Sequence, residues 1–190
     1  AYANQDNNIT FDFIATNPDF NGLAQLDTNK YYVSTDPTLE PGSDTEIIPT
    51  QFPTPSGELT TGKTFTGVKL DLSSQSDGTY YLFVEITITP PLASESSPPH
   101  QIILDKTNPV IASLEFSPIP VSGWSKIPID VTSSCHETPC SIEYQIGSGT
   151  FTSFTSPLTL SNVNGTITLK ATDGAGNTST LTSTETLQID

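Results

Sequence analysis

A turn followed by a long alternating strand occurs twice in this chain, and the two copies constrain how everything else can be arranged. The first is Asp77-Gly78-Thr79-Tyr80-Tyr81-Leu82-Phe83-Val84-Glu85-Ile86-Thr87, and the second is Asn164-Gly165-Thr166-Ile167-Thr168-Leu169-Lys170-Ala171-Thr172-Asp173. Asp-Gly and Asn-Gly are hairpin dipeptides, because glycine accepts the positive φ such turns require. The residues behind them alternate with period 2, the pattern of a sheet with one buried face. Each copy then reaches a closing strand, Ile102-Ile103-Leu104-Asp105 or Leu187-Gln188-Ile189-Asp190. From turn to closing Asp is 28 residues in the first copy and 26 in the second. Upstream, Tyr31-Tyr32-Val33-Ser34 resembles Glu143-Tyr144-Gln145-Ile146. The first copy carries about 25 extra residues within the Pro/Thr/Gly-rich stretch 37–64, read as a surface loop with an added edge strand.

No stretch keeps the helical i, i+3, i+4, i+7 apolar spacing over three turns, so the fold class is all-β. Hydrophobic residues make up only 34% of the chain. That is enough for sheets, since an antiparallel strand need bury only alternate side chains. The boundary falls at Leu104-Asp105-Lys106-Thr107-Asn108-Pro109, where the proline biases Asn108 away from helix. This separates residues 1–105 from 106–190. In the second block, strands are expected at 110–116, 126–133, 141–146, 151–154, 158–160, 166–172 and 181–189. Seven short strands with turn signals every 8–12 residues are the signature of an immunoglobulin-like sandwich. In the first block they are expected at 9–15, 31–34, 65–72, 79–88 and 101–104. Tyr80, just inside its strand, has the place of a tyrosine corner, whose hydroxyl bonds back to the preceding backbone. The expected architecture is two tandem immunoglobulin-like β-sandwiches joined by a short linker.

The formal net charge is −15, with only 6 Lys and Arg. Nucleic acid and anionic membrane surfaces are therefore poor partners, because both are bound through clustered cations. No apolar run reaches the length of a membrane span. Ala1-Tyr2-Ala3 matches the small-x-small pattern at a signal-peptidase boundary. Cys135 and Cys140, the only cysteines, flank the four residues His136-Glu137-Thr138-Pro139. A zinc site from Cys135, His136 and Cys140 would lack the fourth ligand of a structural centre. A disulfide across the turn is the better reading, and it implies an oxidising compartment.

Three motifs in fixed order resemble the immunoglobulin-like repeats of large bacterial surface proteins. Leu104-Asp105-Lys106-Thr107-Asn108-Pro109 is similar to the I-D-T-T-A-P linker between such repeats. Glu143-Tyr144-Gln145-Ile146 with Gly149-Thr150-Phe151 resembles their E-Y-S-I-D-G-G-x-W hairpin, and Thr172-Asp173-Gly174-Ala175-Gly176-Asn177 their T-D-x-A-G-N turn. The resemblance covers the second block well and only the last two strands and linker of the first. It implies surface display as a spacer, stalk or adhesive module, with neighbouring repeats as partners.

Asp173 and Asn177 have two readings. Structurally, their side chains cap the amides of the Gly-Ala-Gly turn. Functionally, they join Asp105 as oxygen ligands of a calcium ion at the domain junction, although no D-x-D-x-D-G loop is present. Calcium is the one cofactor the sequence admits, and none is required. His100 and His136 stand in no G-x-S-x-G or H-E-x-x-H motif, so no catalytic residue is assigned and the chain is read as no enzyme. The leading function is a non-catalytic extracellular or cell-surface structural and adhesion module. One alternative is a filament subunit that offers residues 4–15 as a donor strand to an identical subunit. The other is a carbohydrate-binding module of a secreted enzyme, with Trp124 stacking on sugar. A glycan or a host or surface protein is the corresponding ligand class, and no ligand-binding residue is fixed by sequence.

Overall fold

A computed structural model of the chain describes residues 2–3, 8–15, 25–52, 54–56, 63–89 and 93–190, with side chains for 8–14, 29–52, 64–87 and 96–190. The chain forms two compact units, Ala1–Lys106 and Thr107–Asp190. Every regular element among the described residues is a strand.

The first unit contains β1 (Tyr2–Ala3), β2 (Asn8–Ala15), β3 (Gln25–Ser34), β4 (Thr45–Ile47), β5 (Thr54–Ser56), β6 (Lys63–Asp71), β7 (Gly78–Thr89), β8 (Ala93–Ser96) and β9 (His100–Leu104). One sheet has the order β1-β9-β7-β3-β4, with β8 also on β7, and the other is β2-β6-β5. Both supply one core. Val68 and Leu70 of β6 are buried in a single cluster with Tyr31, Val33, Leu82, Val84, Ile102 and Leu104 of the facing sheet. Phe13 of β2 stacks on Phe65 at 4.7 Å and meets Tyr31 edge-on at 6.3 Å. The β2–β6 register slips between Phe11 and Phe13. Gly67 takes φ +74° there and donates its N–H to Asp12 Oδ1 at 2.8 Å, a bulge that a side chain at Gly67 would strain. Tyr80 forms the expected corner: 8% exposed, it donates its hydroxyl to the Ser76 carbonyl at 2.9 Å.

The long insertion does more than loop. It gives β4 to the edge of β3 and β5 to the edge of β6, one strand for each sheet. Residues 8–15, the described part of the segment a strand-donating subunit would offer, are hydrogen-bonded to β6 of their own unit. Residues 4–7 lie outside the described set.

The second unit contains β10 (Glu115–Ser117), β11 (Trp124–Ser125), β12 (Ile129–Thr132), β13 (Cys140–Ile146), β14 (Thr152–Ser153), β15 (Leu158–Leu160), β16 (Val163–Gly165), β17 (Ile167–Asp173), β18 (Thr178–Thr182) and β19 (Leu187–Ile189). They form the sheets β14-β13-β17-β18, β10-β12-β15 and β11-β19-β16. Ile129, Val131, Leu160, Ile167, Leu169, Leu187 and Ile189 make one buried cluster from all three. In β17 burial alternates without a break from Ile167 to Asp173. Each unit is an immunoglobulin-like β-sandwich.

Three sequence expectations need correction in this unit. Asn164-Gly165 is not a hairpin turn: both residues belong to β16, paired with Gln188 and Leu187. The expected strand 181–189 is two strands in different sheets. Between them Ser183 Oγ accepts the Ile167 N–H at 3.1 Å and donates to the Glu185 carbonyl at 2.8 Å, turning the chain from one sheet to the other. The expected strand 110–116 is regular only from Glu115, where it pairs with β12; upstream it makes the isolated bridge Ile111–Cys135.

Candidate functional site

Asp173 ends β17 directly opposite Cys140, the first residue of β13. Its Oδ1 accepts the backbone N–H groups of Ala175, Gly176 and Asn177 at 2.8, 2.7 and 2.9 Å. Its Oδ2 accepts the Asn177 side-chain amide at 2.9 Å, and that amide also donates to the Thr107 carbonyl at 3.2 Å. Asp173 is 8% exposed and Asn177 3%. One buried carboxylate thus gathers three backbone donors of the turn and one side-chain amide. The structure brings Asp173 and Asn177 together, with Asp173 capping the turn's amides and the Asn177 side chain bonded to Asp173 and the Thr107 carbonyl instead of to a backbone N–H. With three donors on one oxygen and one on the other, a cation at Asp173 would compete with four hydrogen bonds. Asp105, the third residue of the calcium reading, follows β9 in the first unit.

Cys135 and Cys140 are bonded to each other, with Cα atoms 6.3 Å apart. Because Cys140 pairs with Asp173, the closed loop delivers Glu137 to the same turn, with carboxylate oxygens of the two residues within 4.8 Å. Sequence reasoning missed Glu137. The signal was available in principle, since a loop tied at Cys140 must lie beside whatever β13 pairs with. His136 of this loop and His100 of the first unit are both exposed.

The second candidate is the outer face of β11-β19-β16. Val121 and Trp124 exchange backbone hydrogen bonds of 3.0 Å around Ser122 and Gly123, whose φ values are +51° and +82°. Two positive φ values make this a hairpin turn of the primed kind, and Gly123 suits it. A Cβ on Gly123 would also collide with the Thr186 carbonyl oxygen. The Gly123 carbonyl accepts the Gln188 N–H at 2.8 Å, and the Asp190 N–H reaches the Ser125 carbonyl at 3.1 Å. The turn therefore seats β11 parallel on β19, with Trp124 opposite Gln188. Gln188 is in turn opposite Asn164 of β16. Leu187 and Ile189 point into the core, so Gln188 points outward, and Trp124 is 58% exposed. Trp124, Gln188 and Asn164 form one cross-strand row beside a shallow hollow of about 360 Å³, also lined by Asn162, Val163, Ile189 and Asp190.

No family model and no curated protein matches this chain. Among solved structures, fibronectin(III)-like modules of Clostridium thermocellum CbhA align over all of this chain and 88% of theirs, at 14% identity and a TM-score of 0.44. An amphioxus IgVJ-C2 molecule aligns over the full length of both chains, at 16% identity and a TM-score of 0.35. At identities and scores this low, these neighbours assign nothing to the chain beyond what its own sheets show.

Proposed function

We propose that this chain is a non-catalytic extracellular module, a spacer or stalk segment of a bacterial cell-surface protein whose partners are neighbouring repeats of similar build. The observation that carries this is the Cys135–Cys140 disulfide. Disulfides persist where thiols are not continually reduced, and a short exposed loop has no protection of its own. The sandwich architecture agrees with it: strands commit their backbone groups to one another and leave a rigid body suited to setting distance. A net charge of −15 keeps such a body soluble and apart from other acidic surfaces.

The test is made on cells of the protein's source. Protease shaving of intact cells should release peptides of both units, and the peptide holding Cys135 and Cys140 should carry the mass of the oxidised pair. Protection from shaving in intact cells, together with two alkylatable thiols, would overturn the reading.

A further inference from the structure

We infer that the outer face of β11-β19-β16 is a binding platform for a neutral glycan chain, with the Trp124 indole as the stacking surface. The proposal goes beyond surface display, which stands whether or not this face binds anything.

The placement of side chains is the first argument. Successive strands lie about 4.8 Å apart, so the row Trp124–Gln188–Asn164 spans about 10 Å, the length of roughly two pyranose rings. A large indole left 58% exposed at the end of that row is an open apolar surface with an electron-rich face. The C–H bonds on one side of a pyranose carry partial positive charge and pack against such a face.

The chemistry of the neighbours is the second. The side chains of Gln188, Asn164 and Asn162 make no hydrogen bond among the described residues. A primary amide offers two donors and an acceptor in one plane, and it therefore matches vicinal hydroxyls, which are themselves both donors and acceptors. Apolar partners would leave these amides unsatisfied; a sugar chain lying along the row would satisfy them.

Charge then selects among glycans. Among the described residues, the only ionised side chain lining the hollow is Asp190, and the whole chain carries −15. Uronates and sialic acids would meet repulsion here, whereas uncharged hexose chains would not. Asn162 lines the same hollow in a left-handed conformation, φ +54°.

Trp124 is the single tryptophan, so intrinsic fluorescence reads this site alone. The full chain would be titrated with cello-, xylo-, manno- and chito-hexaoses, and with polygalacturonate as the anionic control. A blue shift and saturable binding for at least one neutral hexaose, and none for polygalacturonate, is expected. By calorimetry, Trp124→Ala should weaken that binding by at least about tenfold while melting like the wild type, because the ring is exposed. The pair Asn164→Ala, Gln188→Ala keeps the fluorophore and should weaken it by about fivefold or more. No binding to any neutral hexaose, or binding to polygalacturonate alone, overturns the proposal. Affinity unchanged in Trp124→Ala overturns it too. Self-association that Trp124→Ala abolishes, without glycan binding, would reassign the face to protein contact.

Discussion

Replacing Asp173 by alanine separates the two things this carboxylate could be. As a turn cap it holds three backbone N–H groups and one side-chain amide. Truncation leaves the donors of Ala175 and Gly176 close enough to solvent to be rehydrated, since Gly176 is exposed and Ala175 only half-buried. The Asn177 N–H is buried and has no such recourse, while its buried side-chain amide keeps the bond to the Thr107 carbonyl and loses the one to Asp173. Two buried hydrogen bonds lost at Asn177 cost about 1–3 kcal/mol each, and with the turn's other two bonds the expected loss is about 3–5 kcal/mol. For a unit of this size that lowers the melting midpoint by roughly 12–40 °C. Asp173→Asn keeps an oxygen for the backbone donors but sets an N–H group against the Asn177 amide, so about half of that loss should remain. Melting of the second unit is followed through Trp124 fluorescence, in excess calcium and again in EDTA. The cap predicts the same loss in both buffers. If Asp173→Ala costs less than about 1 kcal/mol in EDTA and the full amount only with calcium, the carboxylate is a metal ligand and the capping argument fails.

Three further outcomes follow from the same geometry. Tyr80→Phe removes only the hydroxyl bond to Ser76 and should destabilise the first unit by about 1 kcal/mol in urea unfolding; no change would mean the corner is decorative. Gly123→Ala meets both a left-handed φ and the Thr186 carbonyl, so the second unit should lose at least about 2 kcal/mol, and a melt like the wild type would show that the turn relaxes freely. Burial holds the Tyr31 phenol above its usual 10.0, so its contribution is complete below that pH and is lost as pH rises through the folded value. The Asn29 side chain faces its buried hydroxyl without a well-formed hydrogen bond, so Tyr31→Phe should change stability at pH 7 by less than about 1 kcal/mol while flattening the alkaline decline. A steeper decline in the variant would refute the sign.

Alternation made β17 legible from the amino acids, because period-2 burial follows from the pleat itself; in β7 it holds only in part, since Leu82, Phe83 and Val84 are all buried. The Asp173–Asn177 turn and the Tyr80 corner were legible for a related reason: each is a bond between residues at most four apart. What failed was the assignment of strands to sheets. The run 181–189 alternates acceptably across Ser183, yet the chain changes sheet there, and the change rests on a hydroxyl bonded to the Ile167 N–H, 16 residues back. Asn164-Gly165 carries a strong turn dipeptide but sits in β16, because Leu187 and Gln188 arrive from the far end of the unit to pair with it. Periodicity reports which side chains are buried and is silent on which strand lies alongside. That silence hid the Trp124–Gln188–Asn164 row completely. Trp124 opens a strand of only two residues, too short to show a period, and it is paired in parallel across 64 positions of sequence with a strand of three. A surface assembled from three short strands has no signature along the chain. Its residues are ordinary one at a time and suggest a ligand only once the register sets indole beside amide beside amide.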